Sequence, residues 1–244
     1  MLPGAIAGPL LRTPIERKAK TSTRAVSGHM ADPAHRSSAD TLERIYLSAR
    51  EEFSEHGFDG ARLDSIGRKA GVTKQLVYHY FKTKEELYAV VLDRVAGEIE
   101  SLLDDPEYDL LSPPDALRRF VDHMISALAD HPYMVAMTLD QRLHRGQHLS
   151  RRSQYLPAIN SLVDTRLVPI LRRGAEADVF RSDIDPPLVY WSMFALVTVV
   201  FTQSWAISRS TGADFAAPER IARWRDHAVD QILRGVALDT TLPQ

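Results

Sequence analysis

Between Thr73 and Tyr88 the chain reads TKQLVYHYFKTKEELY, and most of its polar side chains could act on a nucleic acid. Lysine donates to guanine O6 and N7, glutamine pairs with the edge of adenine, and leucine packs on a thymine methyl. Lys74, Gln75 and Leu76 therefore supply base-reading chemistry in three consecutive residues. Thr73, Tyr78 and Tyr80 carry hydroxyls suited to phosphate oxygens, which fix register without reading sequence. His79 stands among them, where it could meet a base or a phosphate. Lys84 opens the next segment, where its ammonium would add to the positive end of a helix dipole and hold a phosphate.

Other reactive combinations are poorer. His144 and His148 lie four apart and could ligate a metal from one helix face. However, Gly146 falls between them, no flanking Glu supplies a base, and RGQHLSRR reads as a loop. The chain contains no cysteine, which excludes disulfides, thiolate metal sites and a thiol nucleophile. No glycine-rich phosphate loop or nucleophile elbow occurs. The expectation is a protein without catalytic residues, metal or cofactor: not an enzyme.

The elements that carry these residues follow from apolar spacing. Ser38, Ala39 and Asp40 suggest a cap, after which Leu42, Ile45, Tyr46, Ala49 and Phe53 share one helical face up to a stop at His56-Gly57. Leu63, Ile66 and Ala70 predict a second, shorter helix ending at Gly71. Thr73 caps a third, in which Val77 and Phe81, four apart, point inward and leave the base-reading residues outward. Thr83 with Glu86 matches a capping box and opens a fourth. Three short helices with a glycine-containing turn between the last two form a helix-turn-helix pattern.

The segment SIGRKAGVTKQLVYHYFKTKEELYAVVL closely resembles the DNA-binding signature of the TetR/AcrR family of transcriptional repressors. The resemblance covers about residues 41–92, with AGV, the Thr cap, the Tyr-x-Tyr-Phe run and Lys-x-Glu-Leu in register. It implies a DNA-facing set of Thr73, Lys74, Gln75, Leu76, Tyr78, His79, Tyr80 and Lys84. Where the family often has a threonine pair, this chain has Ala61-Arg62, so Arg62 is expected to replace a lost phosphate contact. Gly67 stands where alanine is usual, a cost of up to about 1 kcal/mol in helix propensity unless a close approach requires it.

Beyond Leu87 the chain predicts helices only. One runs from Pro113-Pro114 to about Asp130, one carries Met134, Met137 and Gln141 towards Gly146, and a long one spans about Arg151 to Gly174 with Pro157 and Pro169 inside it. An uncharged stretch, Pro186 to Ser208, precedes a last helix from about Pro218 to Arg234. The fold expected is all-α: a disordered basic arm over residues 1–38, a helix-turn-helix domain over 39–88, and a helical effector-binding and dimerisation domain over 89–240. Met30 leaves open a shorter natural start.

Charge divides the chain in the same sense. Residues 1–40 hold six Lys/Arg against three acids, all six lysines lie at or before Lys84, and residues 93–244 hold 16 Arg against 21 acids. Such asymmetry suggests an N-terminal part that meets a polyanion and a C-terminal part that does not. The uncharged stretch is long enough for a membrane span, yet Ser192, Thr198, Thr202 and Gln203 favour a buried or interfacial helix, so no membrane is expected and a cytoplasmic location is.

The family resemblance implies a homodimer on a double-stranded palindromic operator, because two recognition helices must reach major grooves about one turn apart. The dimer interface is expected at Val197, Phe201, Ile221, Trp224, Ala228 and Ile232. A small-molecule effector is implied too, in a pocket drawn from Met124, Met134, Met137, Gln141, His144, Tyr155, Trp191, Phe194 and Trp205. A regulator without such a ligand, controlled by a protein partner, is the alternative.

Overall fold

The computed structural model describes residues 33–149 and 153–238; residues 1–32 of the expected basic arm lie outside them, and its last stretch, 33–38, is helical rather than disordered. The described residues are helical, joined by short turns, with a single isolated bridge between Phe180 and Ala237. Helix α1 (Pro33–Gly60) starts earlier than its expected cap at residues 38–40, with proline in its first turn, where the missing N–H costs nothing. Helices α2 (Leu63–Ala70), α3 (Lys74–Tyr80) and α4 (Lys84–Leu103) follow at the spacing that the apolar pattern predicts. Ile45, Phe53, Ile66, Val77, Phe81 and Leu87 interlock into one core that continues along α4 into the rest of the molecule.

The body contains α5 (Pro113–Asp130), α6 (Pro132–Leu143), α7 (Tyr155–Leu162) and α8 (Val168–Glu176). Helices α7 and α8 are one continuous rod, as expected, widened into a π-turn at Val163–Leu167. Pro169 lacks the N–H that would bond one turn back, and the wider turn absorbs that defect. Helix α9 (Pro186–Thr202) is followed by α10 (Ser204–Thr211) and α11 (Pro218–Val236). The uncharged stretch is thus two helices, not one: they meet at 69° beyond Thr202. Among the described residues no single helix is long and apolar enough to cross a membrane.

Two polar networks, one buried and one half-buried, fasten α1 and α4 to α6. Asp140 on α6 accepts from the Phe58 amide at 3.0 Å and from the hydroxyl of Tyr88 on α4, which in turn receives the Gln141 amide at 2.7 Å. Glu98 on α4 accepts from Tyr46 on α1 at 2.7 Å and Tyr133 on α6 at 2.6 Å, with Arg50 lying 4.0 Å over the Tyr133 ring. Gly57 makes the first network possible. Its φ of +66° disfavours a side chain, and a Cβ there would meet the Asp140 carboxylate at 2.7 Å.

Removing the Tyr88 hydroxyl strands both the Asp140 oxygen and the Gln141 amide inside the protein. Tyr88→Phe should therefore lower unfolding stability by about 1–3 kcal/mol. A denaturant midpoint unchanged from the parent would contradict the role given to this network.

Candidate nucleic-acid interface

The recognition element is held by three caps. Thr73 Oγ1 accepts from the Leu76 amide at 3.2 Å and opens α3; Thr83 Oγ1 accepts from Glu86 at 3.1 Å and opens α4. The Glu86 carboxylate reaches back to the Lys82 amide at 2.8 Å, one residue ahead of the cap itself. Helix α2 has no such residue of its own: Arg62 occupies the cap position with an extended backbone and no side-chain bond. Glu52 of α1 does the work instead, accepting from the Arg62 amide at 3.2 Å and from Ser65 Oγ at 2.7 Å. Sequence reasoning missed Glu52, whose buried position on α1 is the signal that could have found it.

Val77 is the buried anchor of α3, and Phe81 at its end packs into the same core. Gln75, Tyr78 and His79 are exposed, as are Thr73 before the helix and Arg62 before α2. Leu76 is half-buried. Lys74 is partly exposed and donates to Asp64 on α2 at 2.9 Å, a bond that raises its pKa, while lying 5.9 Å over the Tyr78 ring. Asp64 was not among the expected residues.

Two expected phosphate contacts are placed otherwise. Tyr80 is half-buried and its hydroxyl bonds Ser38 Oγ on α1 at 3.1 Å, so the ring seats α3 against α1 rather than standing free. Lys84 turns to the end of α1, donating to the Asp59 carbonyl at 3.2 Å and covering the Phe58 ring at 4.8 Å. Lys82, without an expected task, donates to the His79 carbonyl at 3.0 Å and closes the end of α3.

An exposed, capped helix carrying Gln, Tyr and His outward on a helix-turn-helix has the chemistry to read DNA. Comparison with known proteins agrees. The pattern for "Bacterial regulatory proteins, tetR family" matches residues 45–91, and that for "Tetracyclin repressor-like, C-terminal domain" matches residues 113–232. The chain belongs to the TetR family. Members of this family are DNA-binding transcriptional regulators, not enzymes. The HTH-type transcriptional repressor NicS of Pseudomonas putida is 29% identical over 196 residues, covering 80% of this chain and 92% of that one. The HTH-type transcriptional repressor SCO4008 of Streptomyces coelicolor is 29% identical over 171 residues, 68% of this chain and 78% of that one. Among solved structures, the putative regulator SCO4942 from Streptomyces coelicolor shares the fold with a TM-score of 0.62 at 23% identity, over 80% of this chain and 98% of that one. FadR from Bacillus subtilis, in complex with stearoyl-CoA, gives 0.59 at 19% identity over 80% and 98%.

The residues expected to line an effector pocket do not converge. Met124, Met134 and Met137 are packed core side chains, and Gln141 belongs to the Tyr88 network. His144 bridges the two parts of the molecule, with Nδ1 2.9 Å from the Asp140 carbonyl and Nε2 3.2 Å from the Asp59 carboxylate. His148 stacks on Phe58 at 3.6 Å, beside the His144 ring. Phe194 lies between Tyr190 and Trp191, while Trp191 and Trp205 are 50% and 71% exposed on the outside. Tyr155 borders a space of only about 10 Å³ between α4 and α7. Soft side chains at helical spacing fill a core as readily as they line a cavity.

The expected dimer residues also need correction. Val197, Ala228 and Ile232 are buried within their own protomer, where α9 and α11 pack on α5, and are unavailable to a second copy. Phe201, Ile221 and Trp224 are half-buried, the indole donating to the Leu196 carbonyl at 2.8 Å. The outward face of α9 is instead Leu188, Trp191, Ser192 and Ala195, with His227 and Gln231 of α11 beside it. An open cleft of about 720 Å³ separates the start of α9 from α11.

Glu52 ties acid stability to this interface. Burial alone would raise its pKa, but the bonds from Ser65, the Arg62 amide and Lys69 outweigh that and hold it below its ordinary 4.5. A carboxyl of lowered pKa contributes stability that is present above the unfolded value and lost as pH falls through the folded one. Glu52→Gln should therefore be less stable than the parent near pH 7 and lose less on acidification below pH 4.5. Denaturant titrations across that range would refute this if the two proteins ran parallel.

Proposed function

We propose that the protein is a transcriptional repressor that binds a palindromic operator as a homodimer and is released by a small-molecule effector. The observation that carries the reading is the α2–turn–α3 unit, whose capped third helix turns Lys74, Gln75, Tyr78 and His79 to one open side. The names of NicS and SCO4008 as repressors support the direction of control. Lys74 and Gln75 read base edges; Thr73, Tyr78 and Arg62 set register on phosphates. The reaction partner is DNA, so the protein works in the cytoplasm.

Dimerisation supplies the second recognition helix. A run of exposed Leu188 and Trp191 on an uncharged helix is the kind of apolar face that a subunit covers. The α9–α11 cleft adjoins it. Effector binding calls for the body helices to part, since the space at Tyr155 holds at most a water. The stearoyl-CoA named with FadR makes an elongated, amphipathic acyl ligand the class to test first for this body. Parting α4 from α7 would move Lys84–Leu103 as a lever and alter the distance between the two recognition helices. The ligand must prefer the released geometry, because equal affinity for both shifts nothing.

Selection from random duplexes should return a two-fold symmetric motif; recovery of no such motif would sink the operator reading. Lys74→Met or Gln75→Ala should change base preference, and Tyr78→Phe should weaken all sequences alike. Trp191→Arg should yield monomers in sedimentation and lose the operator, whereas a dimer unchanged would move the interface elsewhere. A screen in which no compound weakens operator binding would overturn the gating and leave control to a protein partner.

A further inference from the structure

We infer that Asp64, a residue of the scaffold helix α2, determines the sequence specificity of the interface by holding Lys74 in trust until a base edge claims it. Lys74 is the first residue of α3, and its Nζ lies 2.9 Å from Asp64 Oδ2. Both groups face solvent, with side chains 41% and 67% exposed, so the pair sits on the open side of the motif and not beneath it. The other two lysines of this end, Lys82 and Lys84, are spent on main-chain carbonyls. Lys74 alone of the three is paired with a carboxylate.

The pairing is built into how the two helices cross. Gly67 follows Asp64 by three residues, on the same face of α2. A Cβ at Gly67 would stand 3.1 Å from the Val72 carbonyl and 3.4 Å from the Lys74 amide. The absent side chain thus lets α2 run close against the start of α3 and brings Asp64 within reach of the ammonium. Asp64 also lies in the first turn of α2, where a helix dipole favours a negative charge.

A carboxylate on a surface that must approach a polyanion has a distinct consequence. On random DNA, a phosphate offers Lys74 another anionic oxygen in exchange for the one it has, and leaves Asp64 facing phosphates without its partner. That exchange gains nothing. A guanine edge offers O6 and N7 together, a contact that discriminates about five- to a hundred-fold against the wrong base. Asp64 therefore penalises non-specific binding more than operator binding. The inference rests on the reading of α3 as the base-reading helix.

The test uses the full chain, the duplex recovered by selection and a scrambled duplex of the same composition, with affinities measured over a range of salt. Asp64→Asn is exposed and nearly isosteric, so its fold is checked only by an unchanged thermal midpoint. Affinity of Asp64→Asn for scrambled DNA should rise roughly two- to five-fold, the range of an exposed ion pair, while operator affinity rises less. The salt dependence on scrambled DNA should steepen by about one phosphate equivalent. In a Lys74→Met background, Asp64→Asn should move both duplexes by the same factor. An unchanged or larger specificity ratio in Asp64→Asn would overturn the inference, as would the same fall in ratio without Lys74. If Lys74→Met alone left base preference intact, the base-reading role of Lys74 would fail first, and the inference with it.

Discussion

The Asp140 carboxylate is the fixed point on which the rest of the molecule turns. It is buried on α6, yet it reaches the Phe58 amide after the α1 kink and the Tyr88 hydroxyl on α4. A buried carboxylate without such donors would be expensive, so the three elements must keep their places for it to be tolerated. Gly57 yields the space and Gln141 completes the chain of donors. The Glu98 cluster repeats the device on the other side of α4, with tyrosines from α1 and α6. Between these two bolts α4 passes from the recognition unit into the body. A displacement of α4 relative to α6 must break or carry both networks.

What the sequence disclosed depended on how local the cause was. The caps at Thr73 and Thr83, the inward pair Val77 and Phe81, and the helices they define each rest on residues within one or two turns, and periodicity reads such features directly. Glu52 capping α2, and Tyr80 tied to Ser38, join residues ten and 42 apart that only the packing of α1 brings together. Opposite charges at Asp64 and Lys74 are visible in the chain, but their meeting depends on the close crossing at Gly67.

Helix α9 illustrates a different limit. Its residues are apolar on every side, so no period distinguishes the face on α5 from the face left open, and Val197 could not be told from Trp191 by type. Its bend beyond Thr202 is equally silent, because neither proline nor glycine marks it. The same ambiguity affects the residues expected to line a pocket. Methionine and aromatic residues fill the body between α5 and α9, and their softness suits a closed core as well as an open site.

His144 carries one consequence of its own. Its Nδ1 faces the Asp140 main-chain oxygen and its Nε2 faces the Asp59 carboxylate, and both partners only accept. A neutral imidazole has one N–H and can satisfy one of them; the imidazolium satisfies both. The Asp140 carbonyl and the Asp59 carboxylate accordingly raise the ring's pKa above its ordinary 6.5, against a small opposing effect of burial. His148 lies beside it and Lys84 donates to the Asp59 carbonyl, so the charges around the ring are those of the joint itself. A group whose pKa rises on folding lends its support below the unfolded value and withdraws it as pH climbs through the folded one. The seam between reader and body is therefore sewn with a proton as well as with side chains, and that stitch is lost as pH climbs through the folded pKa of the ring.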